Sequence, residues 1–229
     1  MKILAIETAT EACSAALLID GNMIERYQVA PREHGNLILS MVDELLLEAG
    51  ITLQQMDALA FGRGPGSFTG VRMATGVIQG LAFATDLLVA PISTLQALAQ
   101  QAVSENEGKT VYAGLDARMS EVYWCEYLVT NGALSAVSNE LVIPPADIKV
   151  EQGKDAVGIG HGWDTYRDEL SGVVKAKSLS LHPTALPRAR EIAFLAVDKV
   201  NTGQLVSAEN ALPVYLRDNV AKKKAQQKK

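Results

Sequence analysis

Cysteine is nearly absent from this chain of 229 residues: Cys13 and Cys125 are its only two. Neither sits at metal-ligand spacing, so a disulfide framework and a cysteine zinc site are both excluded. A reducing, cytoplasmic setting is expected. Histidine is almost as scarce, with His34, His161 and His182 far apart in the sequence. No apolar run nears the roughly 18 residues needed to span a bilayer. Lys2-Ile3-Leu4 enters a strand pattern at once, unlike a secretory leader. No membrane attachment is expected. What is present is ordinary for a folded chain: 48% hydrophobic and 21% charged residues, enough apolar mass to offset the ordering entropy over one large domain or two small ones.

The net charge of −5 hides an asymmetry. Lys222, Lys223, Lys224, Lys228 and Lys229 crowd the last eight residues, and the rest carries 16 basic against 26 acidic groups, a charge of −10. Such a body does not grip nucleic acid unaided, because that grip needs phosphate neutralisation by Lys and Arg. The segment 221–229 is expected to be a solvated basic tail.

Along the chain, Lys2–Glu7, Cys13–Ile19 and Met23–Val29 form strand patterns joined by Thr8–Glu11 and by the hairpin signal Asp20-Gly21. Helices are expected over Asn36–Ala49, ended by Gly50, over Thr69–Thr85, and from Ser93 to about Val103. Strands are expected at Met56–Gly62 and Leu87–Ile92. The pattern then restarts. Thr110–Asp116, the polar turn Ala117–Ser120 and Glu121–Val129 repeat the opening, with Asp116 standing where Glu7 stood. Asn131-Gly132 leads to a third strand near Glu140–Ile143. One long internal duplication is the reading, with lobes at 1–105 and 106–220. Later signals are weaker: a strand at Ala156–Ile159, a helix within Pro183–Val200, and an extended piece at Pro213–Arg217.

The segment Gly62-Arg63-Gly64-Pro65-Gly66-Ser67-Phe68-Thr69-Gly70-Val71-Arg72 is the most informative. It follows a strand and opens a helix, so its glycines let a ligand approach and its free N–H groups suit an anion. It is neither a Walker loop nor a dinucleotide fingerprint. A purely geometric strand-to-helix turn is the alternative. This segment resembles the signature of the bacterial TsaB (YeaZ) family. Ile3–Thr10, Asp116–Tyr123 and Pro213–Arg217 resemble the same family, so the likeness runs to about Val220. The resemblance implies a duplicated, actin-like α/β fold of two lobes, related to sugar kinases, Hsp70 and ribonuclease H. It also implies a part in making threonylcarbamoyl adenosine next to the tRNA anticodon, together with the larger relative TsaD and the ATPase TsaE.

TsaD holds a metal through a His-x-x-x-His pair. The matching places here carry Thr94 and Leu98. Leucine cannot ligate, and a threonine hydroxyl alone is a poor ligand. No metal site, no catalytic residue and no resident cofactor are therefore expected, with ATP or ADP belonging only to an assembled complex. The candidate nucleotide or cleft contacts are Glu7, Gly64, Gly66, Ser67, Thr69, Asp116, Arg118 and Glu121. His161, between two glycines, is a weaker candidate.

The first helix packs Leu37, Ile38, Leu39, Met41, Val42, Leu45, Leu46 and Leu47 into eleven positions, whereas a surface helix carries three or four apolar residues per seven. The second places Gly76, Gly80 and Ala84 at four-residue spacing, with Arg72 one turn earlier. Both features suit a helical interface, expected with TsaD and, in its absence, with a second copy. Deep burial within the chain is the alternative. Two further functions compete with a silent subunit: a small ATPase or kinase on the same fold, and a peptidase, which lacks a base–nucleophile pair.

Overall fold

The computed structural model describes residues 1–217. The lysine-rich segment expected to form a tail lies outside the described residues. Two sheets share one topology. In the first, β1 (Lys2–Glu7), β2 (Ala12–Ile19), β3 (Asn22–Val29), β4 (Ala58–Gly62) and β5 (Val89–Ile92) lie in the order β3-β2-β1-β4-β5. In the second, β6 (Thr110–Asp116), β7 (Val122–Thr130), β8 (Ala133–Ala136), β10 (Asp155–Ile159) and β11 (Ser178–His182) lie in the order β11-β10-β6-β7-β8, and β9 (Leu141–Ile143) also pairs with β7. Read from the first strand of each, the orders coincide: an antiparallel meander on one side and parallel strands on the other. This is the duplicated actin-like, ribonuclease H-like α/β fold. The chain leaves the first sheet after Ile92 and enters the second at Thr110.

Alternation along the buried strands gives each sheet two apolar faces. Leu4, Ile6, Leu17, Leu59 and Phe61 meet α1 (His34–Ala49) and α2 (Phe68–Thr85) on one side of the first sheet. On its other side Ile3, Ala5, Ala16 and Ala60 meet Ile192, Ala193 and Ala196 of α6 (Ala189–Asn201). The second sheet packs Val111, Ala113 and Val157 on Leu95, Leu98 and Ala99 of α3 (Thr94–Gln100). Its opposite face stacks Tyr112, Trp124 and Trp163, the last from α4 (Gly162–Thr165), beside Leu170 of α5 (Arg167–Val174). Each lobe is therefore completed by a helix from the other half of the chain. A cut at residue 105 does not separate the lobes in space, because α6 belongs with the first sheet.

Several sequence expectations need correction. Ile38, Met41, Val42 and Leu45 do not form a partner surface; all four are buried against the first sheet. Their i, i+3, i+4, i+7 spacing is one helical stripe, and burying each such side chain is worth about 1.5–3 kcal/mol. The excess lies elsewhere on α1, where Leu39 and Leu47 are exposed. The third strand of the second meander is two short pieces, β8 and β9. The last helix begins only at Ala189. The piece expected to be extended at 213–217 is an arm outside both sheets. The elements α5 and β11 had no counterpart in the sequence reading. On α2 the expectation of an outward face fits: Gly76, Gly80 and Ala84 are exposed, and nothing lies within 4 Å of a Cβ built on either glycine.

Candidate functional site

A cleft of about 910 Å³ opens between the lobes. Its walls are the β1–β2 turn, the glycine-rich turn into α2, the β6–β7 turn and the C-terminal arm. Of the residues singled out from sequence, Gly66, Ser67, Thr69, Asp116 and Arg118 line it together, and so does the weaker candidate His161. Glu7, Gly64 and Glu121 do not.

Glu7 is fully buried at the end of β1. Its Oε1 accepts from the Ala9 N–H at 2.6 Å and its Oε2 from the Thr94 hydroxyl at 3.0 Å. Burial outweighs these bonds and pushes its pKa up to about 7. Gly62 is a glycine because a Cβ there would overlap the Glu7 carboxylate. Thr94 also accepts from the Gly64 N–H at 3.2 Å and donates its own N–H to the Gly64 carbonyl at 3.0 Å. Glu7, Thr94 and Gly64 thus form one sealed knot behind the cleft. Gly64, at φ 93, takes the left-handed turn that this knot requires.

Asp116 stands at the equivalent end of β6 but faces the cleft. Its Oδ1 accepts from the Arg118 N–H at 2.8 Å and the Tyr166 hydroxyl at 3.1 Å, and its Oδ2 lies 3.2 Å from the Arg118 guanidinium. The Asp116 N–H donates to His161 Nδ1 at 3.0 Å, which assigns the imidazole proton to Nε2, 3.9 Å from Glu11 Oε2. Burial holds the His161 pKa below its usual value, against the opposing pull of Glu11 and Asp116. The turn that follows is strained: Arg118, Met119 and Ser120 all have positive φ, at 62°, 57° and 59°. Such geometry costs L-residues roughly 1–2 kcal/mol each and persists where neighbours over-determine it. Glu121 supports it from outside the cleft by pairing with Arg217.

The donor set does not fit a metal. Thr94 is engaged by Glu7, Leu98 is sealed in the core, and no group of three or more His, Cys, Asp and Glu side chains gathers among the described residues. Of the two carboxylates at strand ends, Glu7 is enclosed, and Asp116 is held by Tyr166 and by the Arg118 amide and guanidinium, a neighbouring cation that disfavours Mg²⁺ there. Both cysteines are buried, with thiol pKa values raised by burial, Cys13 to about 11. Ser67 is the N-cap of α2, accepting from the Gly70 N–H. No side-chain hydroxyl or thiol bonds the His161 ring among the described residues. The cleft can hold a polar ligand by hydrogen bonds; it carries no base–nucleophile pair.

The family profile described as "TsaD: tRNA N6-adenosine threonylcarbamoyltransferase" matches residues 23–225. The tRNA threonylcarbamoyladenosine biosynthesis protein TsaB of Escherichia coli (strain K12) is 43% identical, over 98% of this chain and 98% of that protein. The chain belongs to the TsaB family. TsaB of Haemophilus influenzae is 40% identical over 98% of this chain and 97% of its own length. The solved structure of "YeaZ from Pseudomonas aeruginosa" superposes with a TM-score of 0.86 at 45% identity, covering 94% of this chain and 99% of that one. Among the described residues no helix is long and apolar enough to cross a membrane.

Sequence reasoning missed three sets of contacts in and around this TsaB-family cleft. Glu11 and His161 approach each other from opposite lobes, which only the assembled fold reveals. Arg217 lines the rim and pairs with Glu121; its motif was visible, its reach was not. Arg72, grouped with the partner face, is exposed there and also holds the arm: its Nε donates to the Tyr215 hydroxyl at 2.8 Å and its guanidinium lies 3.7 Å above Phe68.

Proposed function

We propose that this chain is the catalytically silent subunit of the assembly that places a threonylcarbamoyl group on the adenosine next to the tRNA anticodon. It binds and activates TsaD, working with TsaE. The observation that carries this reading is the outer face of α2. Gly76, Gly80 and Ala84 form a flat exposed stripe beside Phe83, which is 84% exposed. An apolar helix face of this kind rarely stays bare, and small residues let a partner backbone come close. TsaD occupies the face in the complex. Without it a second copy does, giving a two-fold homodimer. The cleft supports silence, since Glu7 is enclosed behind it, Asp116 is tied to Arg118 and Tyr166, and among the described residues no side-chain hydroxyl or thiol bonds the His161 ring. ATP or ADP belongs to the assembled complex. The acidic body reaches tRNA through its partners, in the cytoplasm.

Reconstitution tests this. With TsaD, TsaE, the threonylcarbamoyl donor and tRNA, modification should require this chain. Gly80→Glu should abolish it by placing an unpaired charge in the interface, a loss of roughly 3–5 kcal/mol, while the isolated variant stays folded. Modification at full rate without the chain would overturn the proposal. So would ATP turnover by the isolated protein at the usual enzyme scale of roughly 1–10³ per second, which favours an independent ATPase or kinase.

A further inference from the structure

We propose that the C-terminal arm, residues 211–217, extends the docking face of α2 and ties occupation of that face to closure of the interlobe cleft. This rests on the reading of α2 as the docking face. The arm is fixed to the first lobe at three points. Gln79 donates to the Ala211 carbonyl at 3.1 Å, the Val214 N–H donates to the Arg63 carbonyl at 2.8 Å, and Tyr215 packs on Phe68 with ring centroids 5.7 Å apart while accepting from Arg72. Two residues later it is fixed to the second lobe. Arg217 pairs with Glu121, donates to the Arg118 carbonyl at 3.3 Å and lies 3.3 Å from the Met119 sulfur. It thereby braces the left-handed turn.

The arm is short. A fully extended chain covers at most about 3.6 Å per residue, so the backbone from Tyr215 to Arg217 spans at most about 7 Å. Opening the lobes must break either the Arg217 contacts or the Tyr215 contacts. Phe68 and Tyr215 are 56% and 43% exposed, and they continue the apolar ridge of α2 toward the cleft. A helical partner seated on α2 covers them, pins Tyr215 to α2, and so favours the state in which Arg217 reaches the second lobe. A ligand shifts an equilibrium only through such differential contact, and the linkage is reciprocal: closed lobes present the ordered arm that the partner buries.

The test places spin labels at Gln54→Cys and Asp168→Cys, one in each lobe, with the native cysteines protected by burial. Distances are measured with and without Arg217→Ala, and affinity is titrated with TsaD as the probe. Arg217→Ala should lengthen and broaden the interlobe distances and weaken TsaD binding roughly 5-fold or more. The swap of Arg217→Glu with Glu121→Arg should recover both, and TsaD should narrow the wild-type distribution. If Arg217→Ala fails to fold, Glu121→Gln removes the same ion pair from the other side. Unchanged distances, or open lobes with unchanged affinity, would overturn the inference while leaving the docking face standing. A wild-type chain that binds no TsaD overturns the docking face and the inference together.

Discussion

Glu7 and Asp116 occupy the same position in two copies of one topology, the last residue of the first strand in each sheet. Their surroundings are opposite. Glu7 has an amide, a hydroxyl and no ion-pair partner among the described residues, and burial pushes its pKa up to about 7. The Asp116 side chain is only 9% exposed, yet it has a guanidinium, an amide and a phenol around it and stands at the cleft wall. Burial alone does not decide what a carboxylate does. The first lobe has turned this position into a structural plug, and the second has made it the hub of a turn.

The comparison breaks most sharply at Gly62. Alanine there drives a methyl into the Glu7 carboxylate, with the β4 backbone unable to retreat between β1 and β5. Gly62→Ala should destabilise the chain by about 3 kcal/mol, the upper end of overpacking costs, read from urea unfolding. An unchanged midpoint would mean that the plug yields easily and that Glu7 is not held as described.

The next largest effect is pH-dependent. Because the folded Glu7 has its pKa raised from 4.5 to about 7, the folded state binds more protons than the unfolded one between those values. The contribution of Glu7 to stability is therefore fullest below about pH 4.5 and is lost as pH rises through about 7. Glu191, also raised by burial to about 7, acts in the same direction. Glu7→Gln should shrink the difference in stability between pH 5 and pH 8 by on the order of 2–3 kcal/mol, leaving the share due to Glu191. Melts of both proteins at the two values check it; parallel curves would show Glu7 to be ionised at little cost.

What the sequence made legible divides along the same line. The paired hairpins, the glycine-rich turn and the outward stripe of α2 are local patterns, and local periodicity carries them. The burial of Ile38, Met41, Val42 and Leu45 is legible too, since their spacing is a core stripe whose phase a bare abundance of apolar residues does not show. Other features have no local signal. The arm alternates poorly, and β11 presents only Leu179 and Leu181 to the interior. The exchange of α3 and α6 between lobes, and the meeting of Glu11 with His161, depend on segments far apart in the chain. Tertiary packing decides them, and no window of sequence contains them.

A smaller effect contrasts the crowded Gly62 with the open glycines of α2. Nothing meets a Cβ at Gly76 or Gly80, and glycine within a helix is less stable than alanine by roughly 0.5–1 kcal/mol. Gly76→Ala and Gly80→Ala should each stabilise the isolated monomer by that amount in dilute urea unfolding, while the added methyls hold a partner helix further away and weaken association. Stabilisation together with tighter association would show that close backbone approach is not the reason for the stripe.

The smallest effect returns to Asp116. Its strongest electrostatic partner, Arg118, has a side chain that is 79% exposed, so solvent screens the pair and its worth is about 0–1 kcal/mol. Asparagine keeps an oxygen for the Arg118 N–H and the Tyr166 hydroxyl. Asp116→Asn should therefore change the unfolding midpoint by about 0.5 kcal/mol or less, against the larger shift at Glu7. The effect should appear instead in the turn. The carboxylate anchors Arg118, whose carbonyl Arg217 also grips, and loss of the charge frees the guanidinium to swing from the cleft wall. Amide exchange at Arg118 and Glu121 should quicken in Asp116→Asn while the rest of β6 and β7 stays protected. A large global loss instead would place Asp116 in the same structural role as Glu7 and remove the distinction between the two lobes.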